Sequence, residues 1–415
     1  MRPATLVASA LADPSIRSFI GSGPVTLIAA GKAALGMTQG FLASAEILIR
    51  RGVAVGVEKT AALPEPLAWY EGGHPVPQPG SVEAGRVAIR CAAEVCPSEC
   101  LVVLLSGGAS ALLAAPAEGV SLQEKVETTR ILLGAGVPIH ELNCVRKHLS
   151  AIKGGRLAAA TSGKVLTLAI SDVVSPVEDD PGVIGSGPTV GDKTTFADAL
   201  AIVDSAAIRD QIPKRVRTLL RRGREGLVSG IVSDGESLSG RKMYHVVGSR
   251  REAMTGALLA ARKLGYAATV IKYPIEGEAR VAGRKHVARV LAAGQELVGS
   301  RCVISSGETT VTVSGSGRGG RNQELALGAL SGLHKFGADT VLVSVGTDGV
   351  DGPTDAAGAL VDSTTISRAT ALGIPSAESH LSDNNSYEYL DRLGDLIRTG
   401  PTGTNVGDLQ VVLTR

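Results

Sequence analysis

The sequence predicts an α/β fold with mainly parallel strands, and three observations carry that prediction. Apolar strand-like runs alternate with helix-like runs along the whole chain. The strand-like runs are almost wholly apolar, as expected when helices cover both faces of a sheet. Nearly every one ends in glycine, serine or aspartate, which places a ligand crevice beyond the carboxyl ends of the strands. A length of 415 residues suits two domains, and 52 glycines with only 3% aromatic residues suit close approach of backbones and ligands.

In chain order, "MRPATLVASALADPSIRSF" reads as a helix, a turn at Asp13-Pro14 and a second helix rather than as a secretory signal. "VTLIAAG", "LVVLLSGG", "VLTLAISD", "YHVVGS", "AATVIKYP", "CVISSGETTVTV" and "TVLVSVGTDG" are the main expected strands, with helices such as "RREAMTGALLAARKLGY" between them. Near residues 205–240 the character changes: a basic amphipathic helix, "IRDQIPKRVRTLLRRGREG", reads as a solvated face and leads into a polar Gly/Ser-rich stretch. The domain boundary is expected there, giving a Rossmann-like domain over 1–235 and a second α/β domain over 236–415, with a cleft between them.

A net charge of +2 gives no electrostatic footprint for nucleic acid or a membrane surface, so the expected partner is a small molecule. No apolar run approaches the ~20 residues of a membrane span. Five cysteines, an odd number in a large chain, argue against a disulfide framework and for a cytoplasmic protein. The spacing of Cys91, Cys96 and Cys100 matches no common zinc or iron–sulfur pattern, so buried thiols are expected.

The stretch "SGSGRGGRNQE" (314–324) satisfies G-x-G-x-x-G through Gly315, Gly317 and Gly320, between an expected strand and an expected helix. Two features oppose a dinucleotide fingerprint. The acidic residue due about 20 positions on is absent, and Arg318 and Arg321 bring guanidinium charge where such a loop relies on backbone N–H groups. A glycine nest with arginine at a helix start suits phosphate, with a glycine-rich turn as the bland alternative. Lys32 follows Gly31 at a strand-to-helix turn that fails the P-loop pattern yet offers a point charge. Ser106, Gly107 and Gly108 form an expected anion site at another strand tip, and the missing G-x-S-x-G elbow argues against a serine nucleophile. Asp172, followed by Glu178, Asp179 and Asp180, ends one strand, and Asp348 ends another with Asp351 and Asp355 beyond it. Carboxylates at such tips are what Mg²⁺ requires, with calcium or simple turn chemistry as alternatives for the second cluster. Two basic anchors, Lys32 and Arg321, with two acidic tips, Asp172 and Asp348, point to phosphoryl transfer from a Mg-nucleotide.

Several of these residues lie in a set of longer motifs: "GGHPVPQPGS" (72–81), "LLSGGASALL" (104–113), "CVRKHLSAIKGGRLA" (144–158), "SGPTVGD" (186–192), "GETTVTVSGSGRGGRNQELAL" (307–327), "GTDGVDGPTDAAGA" (346–359) and "TGPTGTNVGDL" (399–409). Together they resemble the glycerate 2-kinase family, with its MOFRL-type carboxy-terminal domain. The resemblance implies transfer of the ATP γ-phosphoryl group to the 2-hydroxyl of D-glycerate, with Mg²⁺, on two α/β domains. It implies roles for Lys32 and Arg321. It also brings Lys153, Gly317, Gly319, Gly320, Asn322, Thr347 and Asn405 into the expected binding set, beside Ser106, Gly107 and Gly108. Asp172 and Asp348 are the expected metal ligands, and one of them is the expected base; the Ser106–Gly108 amides would take either the glycerate carboxylate or nucleotide phosphate. A homodimer is a candidate assembly that the residues do not specify. "SDVVSPVEDDPG" is longer than the family's usual pattern, which leaves Asp172, Asp179 and Asp180 in competition for the metal. The rival reading is a nicotinamide-dependent hydroxypyruvate reductase, supported only by the literal glycine pattern; a sensor of sugar acids or nucleotides is a third.

Overall fold

The computed structural model describes residues 2–44, 47–58, 62–205, 208–230, 240–294, 298–333 and 339–415. Two compact units emerge, an N-terminal one of residues 2–173 with 179–247 and a C-terminal one of 174–178 with 248–415. The domain boundary expected between residues 235 and 236 lies outside the described residues.

The N-terminal unit opens with helices Pro3–Leu11 and Pro14–Ile20, separated as the sequence predicts by Asp13, whose carboxylate accepts the Ser15 N–H at 2.8 Å. Proline at the first helical position has no N–H to leave unsatisfied, so both starts are favoured. Its sheet contains β1 (Val25–Ala30), β2 (Ile49–Gly56), β3 (Leu67–Glu71), β4 (Cys100–Leu105), β5 (Lys164–Ile170) and β6 (Lys242–Gly248), in the order β3-β2-β1-β4-β5-β6. The β1–β2, β1–β4, β2–β3 and β4–β5 pairs are parallel, and β1 and β4 are buried at every position. Here the continuous apolar run means what the sequence reading took it to mean. A separate helical core of Leu132, Val145, Phe196, Leu200, Val216 and Leu220 lies beside this sheet in the chain's middle third. The basic helix Lys214–Arg224 turns Val216, Leu219 and Leu220 into that core and leaves Arg221, Arg222 and Arg224 exposed.

The C-terminal unit is also α/β, but its strands are not mainly parallel. It contains β7 (Ala267–Val270), β8 (Ile275–Glu278), β9 (Arg301–Thr310), β10 (Thr340–Gly346), β11 (Gly358–Asp362), β12 (Leu396–Ile397) and β13 (Asp408–Thr414), in the order β12-β11-β10-β13-β9-β7, with β8 also on β9. The β10–β11, β10–β13, β11–β12 and β9–β13 pairs are antiparallel; β7–β9 and β8–β9 are parallel. The reason is visible in β10 and β13, where buried and half-buried residues alternate. Valines occupy the half-buried positions of β10, so an apolar string stands in for the alternation that normally marks a one-sided strand. No helix among the described residues is long and apolar enough to cross a membrane. The cysteines are all free; burial pushes the Cys100 thiol up to about 12 and the Cys144 thiol up to about 11.

Helix Arg321–Leu333, which carries the key arginine, packs on helix Ala279–Gly294 through glycines from both. A Cβ on Gly283 would sit 2.2 Å from the Leu325 carbonyl oxygen, and one on Gly328 would sit 2.3 Å from that of Arg280. Both obstacles are backbone, so a side chain must push the helices apart. Gly328→Ala is expected to cost about 1–3 kcal/mol and to lower the melting temperature. Gly256→Ala, in a helix with nothing within 4 Å of the new methyl, is expected to be neutral or to stabilise by up to ~1 kcal/mol. Thermal unfolding of the two variants checks the contrast.

Candidate active site

In the N-terminal unit the tips of β1 and β4 are tied together. Ala30 lies in register with Leu105, the Lys32 N–H donates to the Gly107 carbonyl at 2.9 Å, and the Ala33 N–H donates to Ser106 Oγ at 3.0 Å. Gly31, at φ +127°, must be glycine: a Cβ there would lie 2.1 Å from Ser106 Oγ. Ser106 is 1% exposed and its hydroxyl serves the start of the helix that follows Lys32, so it positions the turn rather than facing a ligand. Lys32 itself is half-buried beside this junction. The Gly107 and Gly108 amides donate to no other described residue, which leaves them as the anion-binding part of the expected Ser106–Gly108 site.

Lys153 is brought close to the same loop by a different route. Its buried Nζ donates to the Ser110 carbonyl (2.8 Å), Ser110 Oγ (3.0 Å) and the Gly185 carbonyl (3.2 Å). All three ammonium protons are therefore used, and Lys153 holds the short helix Ala109–Leu112 against the turn at 184–186. Beyond β5, Asp172 is half-buried. Of the acids that follow, Asp180 accepts the Gly182 N–H at 2.8 Å, and Glu178, in the C-terminal unit, pairs with Arg250 at 2.7 Å and Arg251 at 2.5 Å.

In the C-terminal unit the glycine-rich loop is tied down by a turn some 70 residues later. Asn384 Oδ1 accepts the Ser314 and Gly315 N–H groups at 2.8 and 3.0 Å, Asp383 accepts those of Ser316 and Gly317 at 2.8 and 2.9 Å, and Asn385 Oδ1 that of Arg318 at 3.2 Å. Arg318 stacks on the Tyr387 ring, 3.7 Å from its centroid. The start of helix 321–333 is capped from within: Asp351 accepts the Asn322 and Gln323 N–H groups, both at 3.0 Å. Only the Gly319, Gly320 and Arg321 amides donate to no described residue, so the expected nest shrinks to these three.

Arg321 is the centre of this half. Its Nε and Nη2 donate to the two oxygens of Asp408 at 2.7 and 2.9 Å, and its Nη1 to Glu308 at 2.8 Å. Burial works against the guanidinium, but Asp408 and Glu308 outweigh it and raise its pKa. Burial raises the Asp408 carboxyl despite Arg321, and pushes Asp351 up to about 6. Sheet register brings these groups together, since Gly346 at the end of β10 and Gly307 in β9 both pair with Asp408 at the start of β13. Asp348 lies near enough to bear on the Asp408 charge, and its Oδ1 accepts the Val350 N–H at 3.2 Å. Thr347 and Asn405 act as ties: Thr347 Oγ1 donates to the Gly407 carbonyl at 2.6 Å and accepts the Val406 N–H, and Asn405 Oδ1 accepts the Gly407 N–H. Asn322, expected to bind ligand, is 1% exposed, with its side chain between Ser344 and Asp351.

Comparison with known proteins fits this picture. A family model described as "Domain of unknown function (DUF4147)" matches residues 1–221, and the MOFRL family matches 301–408. A protein of Pyrococcus horikoshii named glycerate 2-kinase is 37% identical over 402 residues, 96% of this chain and 89% of its own. The chain belongs to the glycerate 2-kinase family. The crystal structure of glycerate kinase from Thermotoga maritima, 35% identical, superposes with a TM-score of 0.85 over 100% of this chain and 96% of its own. A further relative, from Agrobacterium vitis, carries the provisional name hydroxypyruvate reductase and is 37% identical over 94% of this chain and 87% of its own. Sequence reasoning missed Asp408 and Glu308 as the partners of Arg321. Their signal was present: both sit inside glycerate 2-kinase motifs, "GETT" and "VGDL", at strand ends.

Because Asp408 is 1% exposed, deleting Arg321 strands a buried carboxylate. Arg321→Ala is expected to lose about 3 kcal/mol in denaturant unfolding, and adding Asp408→Asn to recover much of it. A second expectation concerns pH. With its folded pKa raised to about 6 from an unfolded value near 4, Asp351 contributes stability that is full below about pH 4 and lost as the pH rises through 6. Asp351→Asn should remove that part of the pH slope.

Proposed function

We propose that the chain phosphorylates D-glycerate at its 2-hydroxyl with ATP, giving 2-phosphoglycerate and ADP. The observation that carries this reading is Arg321, held in a fixed orientation by Asp408 and Glu308 at one end of its sheet, in a chain related along nearly its whole length to a glycerate 2-kinase. Three of its five N–H bonds are used by these carboxylates, and the other two point a preorganised charge at a phosphoryl oxygen. The Gly319, Gly320 and Arg321 amides add donors beside it. In the N-terminal unit, Lys32 offers a positive charge suited to a phosphate of the nucleotide.

Mg²⁺ fits the oxygen donors present. Among the described residues no group of three or more His, Cys, Asp or Glu side chains is placed to hold a metal. An ion carried in by ATP needs only one or two carboxylates, and Asp172 and Asp348, both half-buried, are suited to that task. When bound, Mg²⁺ neutralises charge on the transferring phosphate. Asp172 or Asp348 accepts the proton of the glycerate hydroxyl. The geometry gives the reductase reading little support: most amides of the glycine loop and the helix start are taken by Asp383, Asn384, Asn385 and Asp351, which leaves only those of Gly319, Gly320 and Arg321.

A coupled assay that distinguishes 2- from 3-phosphoglycerate tests the proposal. Wild type should yield the 2-isomer, Lys32→Ala should lose about 100-fold or more in kcat/KM at an unchanged melting temperature, and NADH with hydroxypyruvate should show no oxidation. Formation of 3-phosphoglycerate, or full turnover by Lys32→Ala, would overturn it.

A further inference from the structure

The N-terminal unit gathers buried and half-buried positive charge that, among the described residues, a single carboxylate balances. Lys125, Arg146, Lys147, Lys153 and Arg156 come from helices Leu122–Gly134, Ile139–His148 and Arg156–Ala159 and the segment between the last two. Among the described residues only Lys147 has an acidic partner, Asp192. The others are satisfied by neutral oxygens: Lys125 by the Leu149 carbonyl at 3.2 Å, Arg156 by that of Lys147 at 2.9 Å, and Lys153 by the Ser110 and Gly185 carbonyls. Lys153 is therefore fully hydrogen-bonded while the cluster's charge stays largely uncompensated, and buried charge without a counter-charge is costly. Burial, and then the neighbouring cations, hold the Lys153 ammonium well below its usual pKa and push Lys125 down to about 7. An anion would relieve this repulsion.

The cluster also has a focus. Ser110 Oγ receives Arg146 Nη2 at 2.6 Å and Lys153 Nζ at 3.0 Å, and lies 2.9 Å from Ser186 Oγ. Arg146 is only half-buried, and its remaining printed contact is a long one to Asn143 Oδ1 at 3.5 Å. Three of its five N–H bonds thus have no acceptor among the described residues. Ser110 is two residues beyond Gly108, so this focus adjoins the Gly107 and Gly108 amides.

We propose that Arg146 and the Ser110 hydroxyl form an oxyanion-binding site next to the Gly107–Gly108 turn, with Lys153 as the positioning residue that holds Ser110 in place. The ligand is a carboxylate or phosphate group of a substrate. On the kinase reading, on which this assignment of the ligand rests, the two sources are the carboxylate of D-glycerate and a phosphate of ATP. Guanidinium recognition of either is bidentate and planar, so lysine is a poor substitute.

Steady-state kinetics on Arg146→Met, Arg146→Lys, Ser110→Ala and Lys153→Met test the site. Arg146→Met should raise KM for one substrate by about tenfold or more, with the other KM within about twofold and the melting temperature held; Arg146→Lys should recover only part. A rise in the D-glycerate KM identifies the carboxylate, and a rise in the ATP KM identifies the phosphate. Ser110→Ala and Lys153→Met should move the same KM as Arg146→Met. Unchanged KM for both substrates in folded Arg146→Met overturns the proposal, as does a fall in kcat alone. If wild type does not phosphorylate D-glycerate, the kinase reading fails separately, and calorimetry with inorganic phosphate still decides the site. Binding heat present in wild type and lost in Arg146→Met supports it; equal heats in the two proteins overturn it.

Discussion

The two parallel hydrogen bonds between Arg321 and Asp408 are the constraint on which the C-terminal unit's chemistry depends. Asp408 is the first residue of β13, held in register by β9 on one side and β10 on the other, so its carboxylate cannot move without disturbing the sheet. A guanidinium fixed to so rigid an anchor loses little freedom on meeting a ligand. The same pairing explains why Arg321 can be partly buried at all. Its positive charge is retained because the sheet supplies a negative one before any substrate arrives.

The N-terminal unit solves the same problem with neutral groups. At the β1–β4 junction the ties are amide to carbonyl and amide to hydroxyl, through Gly107 and Ser106. Further along the same loop the cations around Ser110 are likewise held by carbonyls rather than acids. Among the described residues, the C-terminal unit holds its arginine among acids, and the N-terminal unit gathers cations with few acids.

Much of this was legible in the sequence. The first two helices announced themselves through Pro3, Asp13 and Pro14, and the buried β1 and β4 through unbroken apolar runs. Lys32 and Arg321 were singled out because charge at a strand tip or helix start is unusual enough to notice, and the structure places both at such junctions. The direction of the C-terminal strands was not legible, because an apolar string does not say which neighbour it will pair with, and the half-buried valines of β10 hid its alternation. Nor could the glycine loop be read correctly from its own residues. Glycines permit an anion cradle, but whether the amides are vacant depends on Asp383, Asn384 and Asn385, and on Asp351 at the helix start, which only the folded chain brings there. The burial of the Asn322 side chain between Ser344 and Asp351 was illegible for the same reason, since both partners come from later in the chain.

The short segment 174–178 bears on how the chain can be divided. It belongs to the C-terminal unit although residues 179–247 of the N-terminal unit follow it, and its Glu178 pairs with Arg250, a residue only 5% exposed. A truncation starting at Gly248 would therefore omit the counter-ion of a buried guanidinium. Gene fusions, domain swaps or split versions of this protein that respect only the linear order would carry that defect with them, and a working graft must bring those five residues along.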